Sequence, residues 1–160
     1  MPDDAPQLTA RQRWMGLLAR ADAGVLGACT ARLAPLPAAT VVRGPEPGLV
    51  LVRGRTGASG APFNLGEMTV TRCAVRLEDG TVGHAYVSGR DHDKARTAAV
   101  LDALLLGATA GASWPGRIEA VVLTPLEAIE RQRRAAQARK SAATRVEFFT
   151  MVRSEHGGRD

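Results

Sequence analysis

The sequence is poor in the residues on which several protein classes depend. It has two cysteines, Cys29 and Cys73, which exclude a disulfide framework and a four-cysteine metal site. No segment approaches the roughly 20 apolar residues that span a bilayer. The start, MPDDAPQLTARQR, is acidic and polar, unlike a secretory signal. We therefore expect one cytoplasmic domain over residues 1–160, with polar tails at about 1–8 and 154–160.

Lysine is also scarce. Of the 21 basic residues only Lys94 and Lys140 are lysines, and the net charge is +5. The arginine guanidinium binds phosphate and carboxylate through paired hydrogen bonds. However, a GC-rich coding sequence would produce the same arginine excess, together with the 17 glycines and nine prolines. The charge therefore supports an anionic ligand or partner only weakly.

Apolar spacing predicts helices near both ends and in the middle of the chain. Thr9 and Gln12 fit a capping box ahead of an apolar stripe, and a second short helix is expected over residues 28–33. Asp91 is a candidate N-cap for a third helix. A polar, arginine-rich helix is expected from Thr124 to about Lys140.

Between these helices the pattern becomes that of strands. Residues 40–43 and 49–55 resemble strands joined by a turn, and Asp79-Gly80 joins strands over 62–77 and 82–89. Short strands are also predicted at 118–123 and 145–152. The predicted class is α+β: an antiparallel sheet around a central hairpin at about 67–89, packed with N-terminal, middle and C-terminal helices and closed by a C-terminal strand.

A two-residue hairpin loop at Asp79-Gly80 fixes a register. It sets His84 opposite Val75 and beside Tyr86, diagonal to Cys73, and it sets Arg72 opposite Val87. Both faces of this hairpin carry apolar residues. We therefore expect the chain's own helices to cover one face, and something else to cover the other.

No standard catalytic motif is present. The glycine-rich loop at 57–60 is not followed by the Gly-Lys-Ser/Thr of a phosphate-binding loop. His84 with Cys73 makes at most half of a zinc site, or a Cys–His nucleophile pair if the thiol is exposed and activated. A packed histidine is the favoured interpretation of His84. We predict no catalytic residue and no metal site.

Three charged residues are candidates for contact with a partner or a phosphate, besides His84. Arg72 lies on an apolar strand face, where a guanidinium pairs with an acid such as Glu67 or Asp91, or projects towards an anionic partner. Arg90 and Asp91 lie where a strand leads into a helix N-terminus. Such a junction binds anions through backbone N–H groups, unless Asp91 caps the helix instead.

Two segments near the end are candidates for surface contact. The helix 127–140 is basic but has no aromatic residue, so a solvated or protein-facing surface is favoured over nucleic-acid binding. The segment that follows it carries Phe148, Phe149 and Met151, with large apolar side chains on both sides. This arrangement favours a central strand or burial under a partner.

Three segments resemble the PhnG family of the bacterial carbon–phosphorus lyase core complex. They are RQRWMGLLARA at 11–21, GEMTVTRCAVRLEDGTVGHAYVSGRD with its following AVLDALL at 66–105, and ATRVEFFTMVR at 143–153. The resemblance runs nearly end to end and implies a single PhnG-like domain.

The resemblance implies a role in alkylphosphonate catabolism. PhnG-like subunits assemble with PhnH, PhnI and PhnJ. With ATP, the first three form α-D-ribose 1-methylphosphonate 5-triphosphate and release adenine. PhnJ, which carries an iron–sulfur cluster and uses S-adenosylmethionine, later cleaves the carbon–phosphorus bond. The family implies an accessory subunit that binds no cofactor, contacts no membrane or nucleic acid, and is inactive alone.

Two other functions remain open. One is a stand-alone basic module that binds nucleic acid or a nucleotide through the arginine-rich helix, with affinity that falls as salt rises. The other is a Cys–His hydrolase, which needs an exposed Cys73.

Overall fold

The computed structural model describes residues 5–55, 60–107 and 113–143. In chain order the elements are α1 (Ala5–Arg20), α2 (Ala23–Ala31), β1 (Ala39–Arg55), β2 (Pro62–Leu77), β3 (Val82–Ser88), α3 (His92–Leu106), α4 (Trp114–Ile118), a π-helical turn (Glu119–Leu123) and α5 (Thr124–Ala143). The strands form one antiparallel sheet in the order β1-β2-β3. The predicted α+β class is confirmed, and the predicted closing strand at 145–152 lies outside the described residues.

The first two helices begin earlier than predicted. Helix α1 already runs from Ala5, so Thr9 lies inside it and is not its N-cap. Proline is tolerated in the first turn of a helix, so Pro6 is compatible with a helix that begins at Ala5. Helix α2 begins after Asp22, whose Oδ1 accepts a hydrogen bond from the Val25 N–H at 3.1 Å.

β1 is one continuous strand, not the two strands predicted. The proline- and glycine-containing stretch at 44–48 was interpreted as a turn but belongs to the strand. Its irregularity appears instead as register shifts between Val41 and Arg43 and between Arg43 and Glu46. Such bulges insert extra residues without ending the pairing of two strands.

The β2–β3 hairpin has a three-residue loop, and the predicted register is wrong by one residue. The Leu77 N–H bonds to the Thr81 carbonyl at 2.9 Å, and Gly80 adopts a φ of +87°. A left-handed glycine at this loop position is typical of three-residue hairpin loops. As a result, Tyr86 pairs with Arg72 and His84 pairs with Ala74.

Helix α3 covers one face of the sheet at very short range. A Cβ added at Gly83 would collide with the Ala99 carbonyl and lie 2.5 Å from the Ala103 nitrogen. Glycine at this position therefore allows strand and helix backbones to approach. The largest fully buried side chains of the core are Leu26, Leu33, Thr71, Val75, Val87, Leu101, Asp102, Leu104, Ile118, Val122 and Leu123.

The predicted strand at 118–123 is wrong, because this segment is helical. Residues Trp114 to Ala143 are helical throughout, with the π-helical turn between α4 and α5. The Thr124 N–H bonds to the Glu119 carbonyl, so Thr124 continues the helix and does not cap a new one. A short buried apolar run has the same composition in a strand and in a helix, and periodicity does not separate them.

Strands β1 and β2 extend beyond the end of β3. The last residue of β3, Ser88, pairs with Val70. Residues 49–55 therefore pair with residues 62–69 as a ribbon that has no third strand beside it among the described residues. We call this ribbon the arm, and the remainder of the described structure the body.

Candidate interaction surfaces

The arm exposes four large apolar side chains. Leu49, Leu51 and Leu65 are 64%, 60% and 62% exposed, and Phe63 is 44% exposed. Leu49 and Leu51 lie on one face of the ribbon, opposite Thr69 and Glu67. A register shift after Val52 interrupts the alternation on β2: Phe63 pairs with Gly54, and a Cβ built on Gly54 would collide with the Leu65 side chain, so Phe63 and Leu65 lie on the other face. We call these four side chains the apolar arm cluster.

Both faces of the arm therefore carry exposed apolar side chains. Val52 and Met68, on the face opposite Leu49 and Leu51, are 37% and 45% exposed. An isolated two-stranded ribbon is only marginally stable in water. Contiguous exposed apolar surface of this kind marks sites of contact with other molecules.

The sheet of the body has one open face, and two of the predicted site residues share it. Arg72 and Tyr86 are paired across β2 and β3, and His84 lies next to them opposite Ala74. Tyr86 is 51% exposed, and His84 is exposed. Sequence patterning predicted a hairpin face left for something else to cover, and Tyr86 is exposed on this face.

Arg72 is paired within the chain, through an acid that the sequence analysis did not consider. Its Nε donates to Glu46 Oε1 at 2.9 Å, and Arg43 donates to the same oxygen. Hydrogen bonding from Arg43 holds the pKa of Glu46 below its usual value. Arg72 remains 38% exposed, so its guanidinium is held in place and still reaches solvent.

The corrected register separates Cys73 from His84. Cys73 pairs with Ala85 on the helix-covered face, whereas His84 lies on the open face. Cys73 is 3% exposed, and burial raises the pKa of its thiol. Since a reactive cysteine needs an accessible thiolate, the Cys–His hydrolase alternative is wrong.

Arg90 and Asp91 follow the left-handed Gly89 at the end of β3. The Asp91 carboxylate accepts the Lys94 N–H at 2.8 Å, which confirms it as the N-cap of α3 and occupies a donor that an anion would use. Arg90 instead lines a shallow depression of about 310 Å³ with Leu49 and Thr69, at the base of the arm. Arg90 is therefore a candidate contact residue that lies beside the arm residues Leu49 and Thr69.

Asp102 is a buried carboxylate that the sequence analysis missed. It is 0% exposed and accepts two hydrogen bonds from Arg11, at 2.8 and 3.2 Å, and one from the Trp14 indole at 2.8 Å. The His84 backbone N–H donates to it at 2.9 Å. The carboxylate therefore joins α1, β3 and α3.

Lys94 makes a second buried polar connection. Its Nζ donates to the Ala19 carbonyl at 3.0 Å, and the Ser88 hydroxyl donates to the same oxygen at 3.0 Å. Desolvation lowers the pKa of Lys94. The last turn of α1 is thus held to β3 and α3 by groups buried in the body.

The basic helix α5 is tied to α1 by ion pairs. Arg13 donates to Glu127 at 2.6 Å and to Glu119 at 2.7 and 3.0 Å. The hydrogen bond from Arg13 lowers the pKa of Glu127, and that with Glu119 raises the pKa of Arg13. Only Leu126 of α5 is buried, so this helix is held mainly at its N-terminal end.

The described residues form neither a metal-ligand cluster nor a membrane-spanning helix. Within 5–55, 60–107 and 113–143, no three His, Cys, Asp or Glu side chains are grouped so as to hold a metal ion. Over the same ranges no helix is both long and apolar enough to cross a bilayer. The interface candidates Phe148, Phe149 and Met151 lie outside these ranges.

The fold and these surfaces define an α+β protein with the features of an interaction subunit: a packed body and an exposed apolar arm. Comparison with known proteins gives the particular family. The model of the family described as phosphonate metabolism protein PhnG matches residues 9–154, and the chain belongs to this family. A Rhizobium meliloti (strain 1021) protein is 47% identical over 153 residues, covering 96% of this chain and 94% of that protein. That relative is named alpha-D-ribose 1-methylphosphonate 5-triphosphate synthase subunit PhnG.

Proposed function

We propose that this chain is a PhnG-type subunit of α-D-ribose 1-methylphosphonate 5-triphosphate synthase, in the carbon–phosphorus lyase pathway. Its relative bears the name of a subunit of that synthase. The observation that carries the structural part of the proposal is the apolar arm cluster, which nothing in the described chain covers. The chain acts as part of a multi-subunit enzyme.

We further propose that its partners are PhnH-, PhnI- and PhnJ-like subunits in a cytoplasmic hetero-oligomer. ATP and alkylphosphonate are then substrates of the complex, and its iron–sulfur cluster and S-adenosylmethionine belong to the PhnJ-like subunit. This chain binds no cofactor and has an accessory role. In support, Arg72 and Asp91 are held by Glu46 and by the start of α3, respectively.

The arm supplies a physical reason for assembly. Full burial of one leucine side chain is worth roughly 1.5–3 kcal/mol. Leu49, Leu51 and Leu65 are each at least 60% exposed, so most of that free energy is still available to a partner. In the part of the chain that the structure describes, no strand lies beside residues 62–69 of β2 on the β3 side, and such an edge readily accepts a strand from another chain.

The proposal is tested by co-expression of the tagged chain with PhnH-, PhnI- and PhnJ-like neighbours. Pulldown, mass determination and adenine release from ATP with methylphosphonate are the measurements. We expect a stable, active complex with the native chain, and loss of both assembly and activity with the triple variant L49S/L51S/L65S. Turnover by the chain alone would contradict an accessory role.

A matched control removes exposed apolar side chains outside the arm. Leu106 and Ile129 are 38% and 46% exposed, on α3 and α5. The variant L106S/I129S is expected to assemble like the native chain. Equal loss of assembly in both variants would mean that general surface apolarity, and not the arm, drives the association.

A further inference from the structure

A charged groove lies between α1 and α5, away from the arm. It encloses about 450 Å³, within the size range of small-molecule sites. Six charged side chains line it: Arg13, Arg20, Glu127, Glu130, Arg131 and Arg134. Four arginines against two glutamates leave its lining with an excess of positive charge.

Glu130 orients two of these arginines without using all their donors. Its Oε1 accepts the Nε–H of Arg20 at 3.3 Å and that of Arg134 at 3.1 Å. Among the described residues, the terminal nitrogens of these two guanidinium groups have no hydrogen-bond partner, which leaves donors that are already held in place and so reduces the ordering cost of binding an anion. Arg131 also lines the groove, makes no hydrogen bond to a described residue and interacts electrostatically with Glu127.

The Arg20 guanidinium group packs against Gly16. A Cβ added at Gly16 would lie 3.3 Å from one terminal nitrogen of Arg20 and 3.5 Å from the other. The Arg20 guanidinium therefore lies back along α1, next to the glycine. On the opposite wall, Arg131 and Arg134 lie one turn apart on α5, so the unpaired donors come from both helices.

We propose that this groove binds an oligophosphate chain, with Arg20, Arg131 and Arg134 as its guanidinium donors. Guanidinium groups match phosphate oxygens in geometry and charge. Donors on both walls suit a ligand with several phosphoryl groups in a row. This inference goes beyond the proposed function, because assembly through the arm requires no small ligand on α1 and α5.

The test is calorimetric titration of the full-length chain, alone and in the co-expressed complex, with inorganic tripolyphosphate at low salt. Loss of one charge-assisted contact is expected to weaken binding about tenfold in Arg131→Gln, and about a hundredfold in R131Q/R134Q. The matched control is Arg139→Gln, on α5 but outside the groove, with a change below about twofold. Absence of tripolyphosphate binding, or equal losses in R139Q and R131Q, would overturn the proposal.

Parallel titrations distinguish the possible sources of the oligophosphate. ATP binding more tightly than tripolyphosphate would assign the groove to a nucleotide, and equal affinity would assign it to the phosphate chain itself. AMP binding as tightly as ATP would overturn the proposal, because the phosphate chain would then contribute nothing. Hexaglutamate binding that R131Q/R134Q abolishes, without tripolyphosphate binding, would also overturn it and assign the groove to an acidic protein segment.

Discussion

The body and the arm are built from the same two strands but meet different surroundings. In the body, Val75 and Leu77 of β2 lie under helix α3 and are 0% and 5% exposed. In the arm, Leu65 of the same strand is 62% exposed. An alternating apolar pattern is therefore satisfied inside the chain in one half of β2 and left open in the other. The pattern indicates which face of the strand is to be buried, but not whether the residues that bury it belong to the same chain.

Polar groups differ between the two regions in the same way. Asp102 is completely buried in the body and has partners on α1 and β3. In the arm, Glu67, which pairs with Leu51, is exposed. Stability should therefore depend strongly on polar contacts in the body, and assembly should depend on apolar surface in the arm.

The largest expected effect on stability comes from Asp102→Ala in the body. This change leaves the Arg11 guanidinium, the Trp14 indole and the His84 N–H without their acceptor. We expect the free energy of unfolding to fall by about 3–5 kcal/mol, measured by chemical denaturation. The isosteric D102N keeps one acceptor oxygen and should lose less. A fall below about 1 kcal/mol in D102A would contradict a central role for this carboxylate.

A pair of glycine substitutions compares how tightly the body and the arm are packed. Gly83→Ala pushes a methyl group into the backbone of α3, and we expect a loss of about 1–3 kcal/mol in thermal or chemical unfolding. Gly66 is a strand glycine of the arm, and no atom lies within 4 Å of a Cβ built on it. Gly66→Ala is therefore expected to change stability by less than about 0.5 kcal/mol. Equal losses would mean that the arm is packed as tightly as the body.

Acid should loosen the attachment of α5 to α1. The folded-state pKa of Glu127 lies below the usual value of 4.5, mainly because of the Arg13 hydrogen bond. Its stabilising contribution is therefore present above pH 4.5 and is lost as the pH falls through the lower, folded value. In melts between pH 3 and 7, we expect the stability difference between the native chain and Glu127→Gln to shrink towards acid.

Salt provides the control for the acid experiment. At about 1 M ionic strength the screening length is roughly 3 Å, so the contribution of an exposed ion pair should fall. The difference between the native chain and E127Q should then be smaller at every pH. A difference that grows towards acid would contradict the assignment to the Arg13–Glu127 pair.

The smallest expected effect on stability comes from the arm itself. Leu51→Ser replaces a side chain that is 60% exposed, and we expect unfolding of the free chain to change by less than about 0.5 kcal/mol. Circular dichroism melts of the isolated chain are sufficient to measure this. A loss near 2 kcal/mol would show that Leu51 is packed in the free chain, and would remove the distinction between arm and body.

Much of the body could be predicted from local sequence signals. The Asp91 N-cap, strand β2 from Pro62 to Leu77 and the long α3 follow from capping chemistry and periodicity. The hairpin register did not, because Glu78 joins Asp79 and Gly80 in a three-residue loop. One residue of slip exchanges the two faces of β3, which is why Cys73 and His84 were wrongly placed together.

The paired charges show what sequence patterns leave out. No local pattern singles out Asp102, because its partners Arg11 and Trp14 lie about ninety residues away. Glu46 lies in a segment that the sequence predicts to be a turn, so it was not considered as a partner of Arg72. Long-range pairing of this kind has no local signature. The exposed arm was not predicted, because the face expected to need other cover was that of the β2–β3 hairpin in the body.

Hydrogen exchange in the free chain and in the co-expressed complex tests the central claim most directly. If the arm is the docking element, its amides at 49–55 and 62–69 should exchange at least about tenfold more slowly in the complex. The β3 amides, already buried in the body, should be unchanged. Arm amides that exchange equally fast in the free chain and in the complex would contradict the account.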